Sequence, residues 1–176
     1  SCLIEANSFV DATGESILSL LAGAQMLATE VFQAPGYVFG ICNLNFEGKR
    51  PSEADISRGV LTTLISAEQA GKIKKNASRF TVVPGSLEKN QLKLKFAFPF
   101  CRQGDFNELT AIEQYGRQAV VDAFMELKAN LPMFIDAELS FIANQVGVRS
   151  GPRAMGHYML SKDDILNCRR FPDAVA

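Results

Sequence analysis

The chain has a single histidine and only four cysteines, which lie far apart as Cys2, Cys42, Cys101 and Cys168. No two cysteines form a CxxC pair, and one histidine cannot complete the usual set of zinc ligands. The sequence therefore predicts no metal site. Free thiols are the expectation for such scattered cysteines, and they are typical of a reducing compartment, so we predict a cytoplasmic location.

Long apolar runs and an excess of charge of one sign are also missing. No run approaches the roughly 20 residues that span a bilayer, and no basic segment followed by an apolar core opens the chain. Eighteen Lys and Arg residues against 19 Asp and Glu residues leave a net charge of -1, so no overall field attracts nucleic acid or an anionic membrane. We expect a soluble protein whose partners are neither nucleic acid nor membrane.

What is present is the composition of a folded domain, with 47% hydrophobic and 21% charged residues in 176 positions. Hydrophobic periodicity predicts strands at 3–11, 36–46, 78–83 and 92–98, helices at 53–70 and 107–131, two strands around the Gly151-Pro152 pair, and a last helix capped by Ser161. The fold class that this order predicts is α+β, a mostly antiparallel sheet packed with amphipathic helices.

The first candidate site is the turn Ala12-Thr13-Gly14, which follows the predicted strand and precedes a helix predicted over ESILSLLAGAQM, residues 15–26. Gly14 has no side chain, so a nucleotide can approach the backbone closely, and the turn exposes N–H groups near the start of the next helix. Junctions of this composition are also common without any ligand. Both interpretations remain open at this point.

The second candidate site contains Arg149, Arg153 and His157, at an even spacing of four. The Gly151-Pro152 pair makes a continuous helix costly there. On a strand, residues an even number apart point the same way, so Arg153 and His157 would face one surface of the sheet.

Such a group could bind a carboxylate or phosphate, or move a proton. The alternative is that the two arginines form ion pairs with Glu138 or Asp164 and only stabilise the sheet.

Several stretches, in their order along the chain, resemble the family of FAD-dependent oxidoreductases. FVDATGESILSLLAGA is similar to the segment that these enzymes carry after their first nucleotide-binding portion, and EQYGRQAVVDAF, GVRSGPRAMGHYML and FPDAVA resemble later patterns of the family. The chain departs from the family at Pro152, where a further arginine is usual, and at His157, where an acid is common.

The resemblance implies an enzyme that passes a hydride between a small-molecule substrate and FAD. It places the backbone of Ala12, Thr13 and Gly14 beside the cofactor. It also places Arg149, Arg153 and His157 near the flavin, as catalytic groups that hold an acidic substrate or stabilise the negative charge of reduced flavin.

The resemblance further implies a GxGxxG turn that grips the ADP half of FAD, yet none of the 13 glycines forms this motif. Because the chain also opens without Met inside a predicted strand, we expect a fragment in which residues 1–24 belong to the FAD domain and residues 25–176 form the substrate-side domain. Such a fragment should be inactive alone, bind FAD weakly or not at all, and self-associate through strand 3–11. The alternative is a stand-alone α+β domain that binds a ligand or a protein without catalysis.

Overall fold

The computed structural model describes residues 3–28, 33–75, 79–97, 106–149 and 151–174. The chain divides into two compact units, of which the larger is Val31–Ser150 and the smaller combines Ser1–Glu30 with Gly151–Ala176. The predicted division into residues 1–24 and 25–176 stays a prediction, because compactness alone does not identify an FAD domain.

The described residues form helices and strands of very different lengths. They are, along the chain, α1 (Ile17–Leu21), β1 (Met26–Leu27), β2 (Gly36–Cys42), α2 (Glu53–Gln69), β3 (Phe80–Val82), β4 (Leu92–Ala97), α3 (Phe106–Asn130), a 3-10 helix (Pro132–Phe134), β5 (Glu138–Ile142), β6 (Arg153–Ala154) and α4 (Lys162–Leu166).

The larger unit contains a four-stranded sheet with the strand order β3-β4-β2-β5. Each neighbouring pair is antiparallel, and α2 and α3 share one hydrophobic core with the strands. This arrangement confirms the predicted α+β class. Lys93 and Lys95 of β4 are exposed, so within this unit the sheet face that they occupy is open to solvent.

Local signals in the sequence account for the elements of this unit. Along β4, Leu92, Leu94 and Phe96 are buried while the lysines between them are exposed, as the period of two predicts. The predicted hairpin of β3 and β4 is confirmed by their antiparallel pairing. The predicted long helix is confirmed as α3, which ends just before Pro132.

Helix α2 begins at a serine cap and also anchors the β3–β4 turn. The Ser52 hydroxyl accepts a hydrogen bond from the Asp55 N–H at 3.2 Å, which confirms the predicted cap. The Glu53 carboxylate accepts the N–H groups of Gly85 at 2.9 Å and Ser86 at 3.1 Å. The start of α2 therefore fixes the position of a turn that lies 33 residues further along the chain, counted from Glu53 to Ser86.

The smaller unit has little regular structure. Strands β1 and β6 pair antiparallel over two residues each, and α1 and α4 are five residues long. The predicted strand at 3–11 is wrong, because no strand forms over those residues. A strand needs hydrogen bonds from a neighbouring strand, and the described residues place none beside this segment; its apolar side chains are 61–87% exposed at Leu3, Ile4, Phe9 and Val10.

Candidate functional site

The Ala12-Thr13-Gly14 turn is organised by the carboxylate of Asp11. One carboxylate oxygen accepts the Thr13 N–H at 3.1 Å and the Thr13 hydroxyl at 2.7 Å. The other accepts the Ser19 hydroxyl at 2.7 Å and the Ser19 N–H at 2.8 Å. These donors, the Ser19 hydroxyl foremost, lower the pKa of Asp11 well below its ordinary range. Asp11 is not among the site residues predicted from the sequence, although an Asp two residues before a Thr is a known turn signal.

The turn itself exposes backbone N–H groups to solvent. The Thr13 hydroxyl accepts the Ile17 N–H at 2.9 Å and so caps α1. Gly14 has a φ of +78°, and nothing lies within 4 Å of the position that a Cβ would take. Within residues 3–28, the N–H groups of Gly14, Glu15 and Ser16 make no hydrogen bond. The turn therefore offers backbone donors and open space, as predicted.

Arg149 lies in the larger unit, where it holds backbone. Its Nε donates to the Ala34 carbonyl at 3.0 Å, and its Nη2 donates to the same oxygen. Beside it, Gly36 and Gly147 form an isolated antiparallel bridge. The guanidinium thus fastens the segment before β2 to the segment after β5, and its charge remains available because no carboxylate of the described chain pairs with it.

Arg153 and His157 lie in the smaller unit, and both are exposed. Arg153 stands in β6 opposite Leu27, whereas His157 lies in a bend after that strand. The prediction that one strand aligns them is wrong, because β6 ends at Ala154. Their predicted functional roles stay predictions, as does that of Arg149, which belongs to the other unit.

A cluster that sequence reasoning missed follows directly on His157. The Asp164 side chain is only 5% exposed and accepts hydrogen bonds from the Ser161 hydroxyl at 2.7 Å, the Ser161 N–H at 2.8 Å and the Tyr158 hydroxyl at 2.7 Å. It also forms an ion pair with Arg169 at 3.0 Å.

Arg169 completes this cluster by stacking on two rings, at 5.7 Å from the Tyr158 centroid and 5.0 Å from the Phe171 centroid. Hydrogen bonds, led by that of the Ser161 hydroxyl, hold the pKa of Asp164 well below its usual range. The helix cap predicted at Ser161 is confirmed. The alternative pairing of Asp164 with Arg149 or Arg153 is not formed, since Arg169 takes that place.

The described residues contain no group of three His, Cys, Asp or Glu side chains that could hold a metal ion. No helix among them is both long and apolar enough to cross a bilayer. Chemically, the smaller unit combines an open turn rich in backbone donors with exposed cationic and titratable side chains. That combination suits an anionic or polar ligand rather than a metal.

Comparison with known proteins identifies the class. A model of the family of FAD dependent oxidoreductases matches residues 1–176. The chain therefore belongs to the FAD-dependent oxidoreductase family, as its motifs predicted. No curated protein and no solved structure matches it.

Proposed function

We propose that this chain serves hydride transfer between a small-molecule substrate and FAD. Membership of the family, across residues 1–176, is the observation that carries the proposal. FAD, when bound, supplies the hydride acceptor or donor. The chain's own contribution is to bind and orient, and the Ala12-Thr13-Gly14 turn is suited to this because its backbone is open.

The turn fits a flavin nucleotide in chemistry and in shape. Free N–H groups at Gly14, Glu15 and Ser16 match the anionic or carbonyl oxygens of such a group. Asp11 uses both carboxylate oxygens within the protein, so it sets the turn's shape and leaves the N–H groups of residues 14–16 to a ligand. Gly14 leaves room for close approach.

The proposal gives each of the three basic residues a different role. Arg153 supplies an exposed positive charge for an acidic substrate or for reduced flavin. His157 supplies an exposed imidazole that can exchange a proton with the substrate. Arg149, bound to the Ala34 carbonyl, would act by positioning the segment before β2 within the larger unit.

We further propose that the enzyme completes its cofactor site with a GxGxxG portion that these 13 glycines do not supply. The exposed side chains of Leu3, Ile4, Phe9 and Val10 support this, because such apolar surface is usually covered. A cytoplasmic setting is part of the proposal, and Cys42 and Cys168 support it as free thiols.

FAD binding by the turn is testable with a matched pair of glycines. We expect the 176-residue chain to bind FAD with a Kd of about 0.1 mM or weaker, since one turn replaces few contacts of a dinucleotide site. Amide NMR shifts should change at residues 12–16. Gly14→Ala should weaken binding about fivefold or more, because its methyl group blocks the approach.

Gly23→Ala is the control, since Gly23 also has a positive φ, +81°, and open space for a Cβ. The two substitutions should introduce similar backbone strain, so the difference between their effects on FAD binding measures the contact between residue 14 and the ligand. Equal effects of the two, or no FAD-dependent shift at residues 12–16, would contradict a cofactor-binding turn. A yellow protein with stoichiometric flavin would contradict the need for a further dinucleotide portion.

Self-association is the expected behaviour of the isolated chain, because four apolar side chains of residues 3–10 are exposed. Light scattering should show a mass above that of a monomer, rising with concentration. The double substitution Phe9→Ser and Val10→Ser should restore the monomer. Leu21→Ser is the control, being 79% exposed but outside the segment. A monomeric wild-type chain at every concentration contradicts the prediction, and so does an equal effect of Leu21→Ser.

A further inference from the structure

The sheet face that carries Lys93 and Lys95 contains a cavity of about 330 Å³, beside the β3–β4 turn. This volume lies at the lower end of the range for small-molecule pockets. Its lining includes two opposite charges, three neutral polar side chains and one aromatic ring, from Glu88, Lys93, Ser86, Gln91, Ser140 and Phe141. All belong to the larger unit.

The floor of the cavity follows from the strand register. Gly40 of β2 pairs with Lys93 on one side and with Phe141 on the other. The Phe141 ring and the Ser140 hydroxyl lie over Gly40, each 2.4 Å from the position that a Cβ would take. Glycine thus lets an aromatic ring settle across the central strand. The ring remains part of an open wall, since Phe141 is 42% exposed.

The wall formed by the β3–β4 turn is held from three directions. Glu53 binds the backbone of Gly85 and Ser86. The Ser86 hydroxyl accepts the Lys93 N–H at 3.1 Å and donates to the Lys93 carbonyl at 3.3 Å. Arg50 donates to the Leu87 carbonyl at 2.8 Å. A cavity wall fixed in this way loses little conformational entropy when a ligand binds.

The charges of the cavity determine which ligand fits it. Among the residues that the structure describes, neither Lys93 nor Glu88 forms an ion pair, with each other or with any other side chain. A simple anion would gain from Lys93 but be repelled by Glu88, and a simple cation would meet the reverse. A ligand with one group of each sign gains from both.

We propose that this cavity binds a small zwitterion. Its acid group faces the Lys93 ammonium, its ammonium group faces the Glu88 carboxylate, and its carbon chain lies against the Phe141 ring. Gln91, two residues before Lys93 on the same side of the sheet, and Ser140 supply further hydrogen bonds. The proposal goes beyond hydride transfer and uses only residues of the larger unit, so it stands or fails independently of the flavin proposal.

The test uses the full chain and ω-amino acids from glycine to 6-aminohexanoate, a series that varies the distance between the two charges. Each is compared by calorimetric titration with the carboxylic acid and the alkylamine of equal length. One member should bind about tenfold or more tightly than both of its singly charged analogues. Amide NMR shifts should locate the bound molecule at Ser86, Gln91 and Ser140.

Variants then separate specific recognition from general charge. Lys93→Met and Glu88→Gln should each weaken that binding about tenfold. Lys95→Met should leave it within about twofold, because Lys95 is exposed on the same strand but does not line the cavity. Equal urea midpoints for all three variants confirm that they fold.

Three results overturn the proposal. In the first, no amino acid of the series exceeds its singly charged analogues. In the second, Lys93→Met and Lys95→Met have the same effect. In the third, Glu88→Gln leaves the affinity unchanged, which would show that the acid group alone is recognised.

Discussion

Gly40→Ala is expected to destabilise the larger unit by about 1 to 3 kcal/mol, the cost of overpacking a well-filled site. Gly40 lies in β2, which pairs with a strand on each side. The new methyl group would stand 2.4 Å from both the Phe141 ring and the Ser140 hydroxyl. Either the ring leaves its place over the strand or the strand shifts. A urea unfolding curve, followed by far-UV circular dichroism, measures the loss.

Gly36→Ala is the matched control at the start of the same strand, where the nearest atom, the Phe96 carbonyl oxygen, lies 3.9 Å from the added Cβ. We expect a change within about 1 kcal/mol, in the stabilising direction, because alanine reduces the entropy of the unfolded chain. In a second control, Phe141→Ala should remove part of the effect of Gly40→Ala, since the ring clash disappears while the Ser140 hydroxyl still lies 2.4 Å from the added Cβ. Equal urea midpoints for Gly40→Ala and Gly36→Ala would disprove the close-approach argument.

Asp164→Asn is expected to loosen residues 158–169 by roughly tenfold or more in amide exchange protection. The change removes the charge that Arg169 pairs with and that the Tyr158 and Ser161 hydroxyls bind. Asp163→Asn is the control, because Asp163 occupies the same first turn of α4 but has no side-chain partner in the described chain. Exchange measured by mass spectrometry distinguishes them. If both variants exchange alike, α4 is held by its backbone alone.

The hydrogen-bonded carboxylates of Asp11 and Asp164 also predict how amide exchange depends on pH. The pKa values of Asp11 and Asp164 lie below the ordinary 3.8 in the folded protein, through the hydrogen bonds that their carboxylates accept. A depressed folded pKa contributes stability above the unfolded value and loses it as pH falls. Protection at residues 11–21 and 158–169, corrected for intrinsic exchange rates, should therefore decline below about pH 4. Asp164→Asn should abolish that decline in residues 158–169 only.

Much of the fold could be predicted because its signals lie within a few residues of one another. The alternation of LKLKFA predicts which side of β4 is buried, and the serines at 52 and 161 predict where α2 and α4 begin. The family could be predicted for a related reason: its motifs are short, and their order along the chain is visible without a structure. The open Ala12-Thr13-Gly14 turn belongs to the same class of local feature.

The structural features that were predicted wrongly, or not predicted at all, depend on residues that are distant along the chain. The apolar pattern of residues 3–11 is that of a strand, yet a strand forms only where another supplies hydrogen bonds. Arg169, rather than Arg149 or Arg153, pairs with Asp164. The cavity beside the β3–β4 turn depends on strand register, because β4 and β5 pair with β2 on either side of Gly40 and so place Lys93 and Phe141 next to it.

The sequence by itself therefore determined the two long helices α2 and α3, the hairpin, the caps and the family, since each rests on short-range periodicity or on motif order. Only the tertiary structure decided where Arg149 binds, how Asp11 and Asp164 are held, and which residues surround the cavity beside the β3–β4 turn. These depend on pairing register and on side-chain contacts across the fold, which no local pattern specifies.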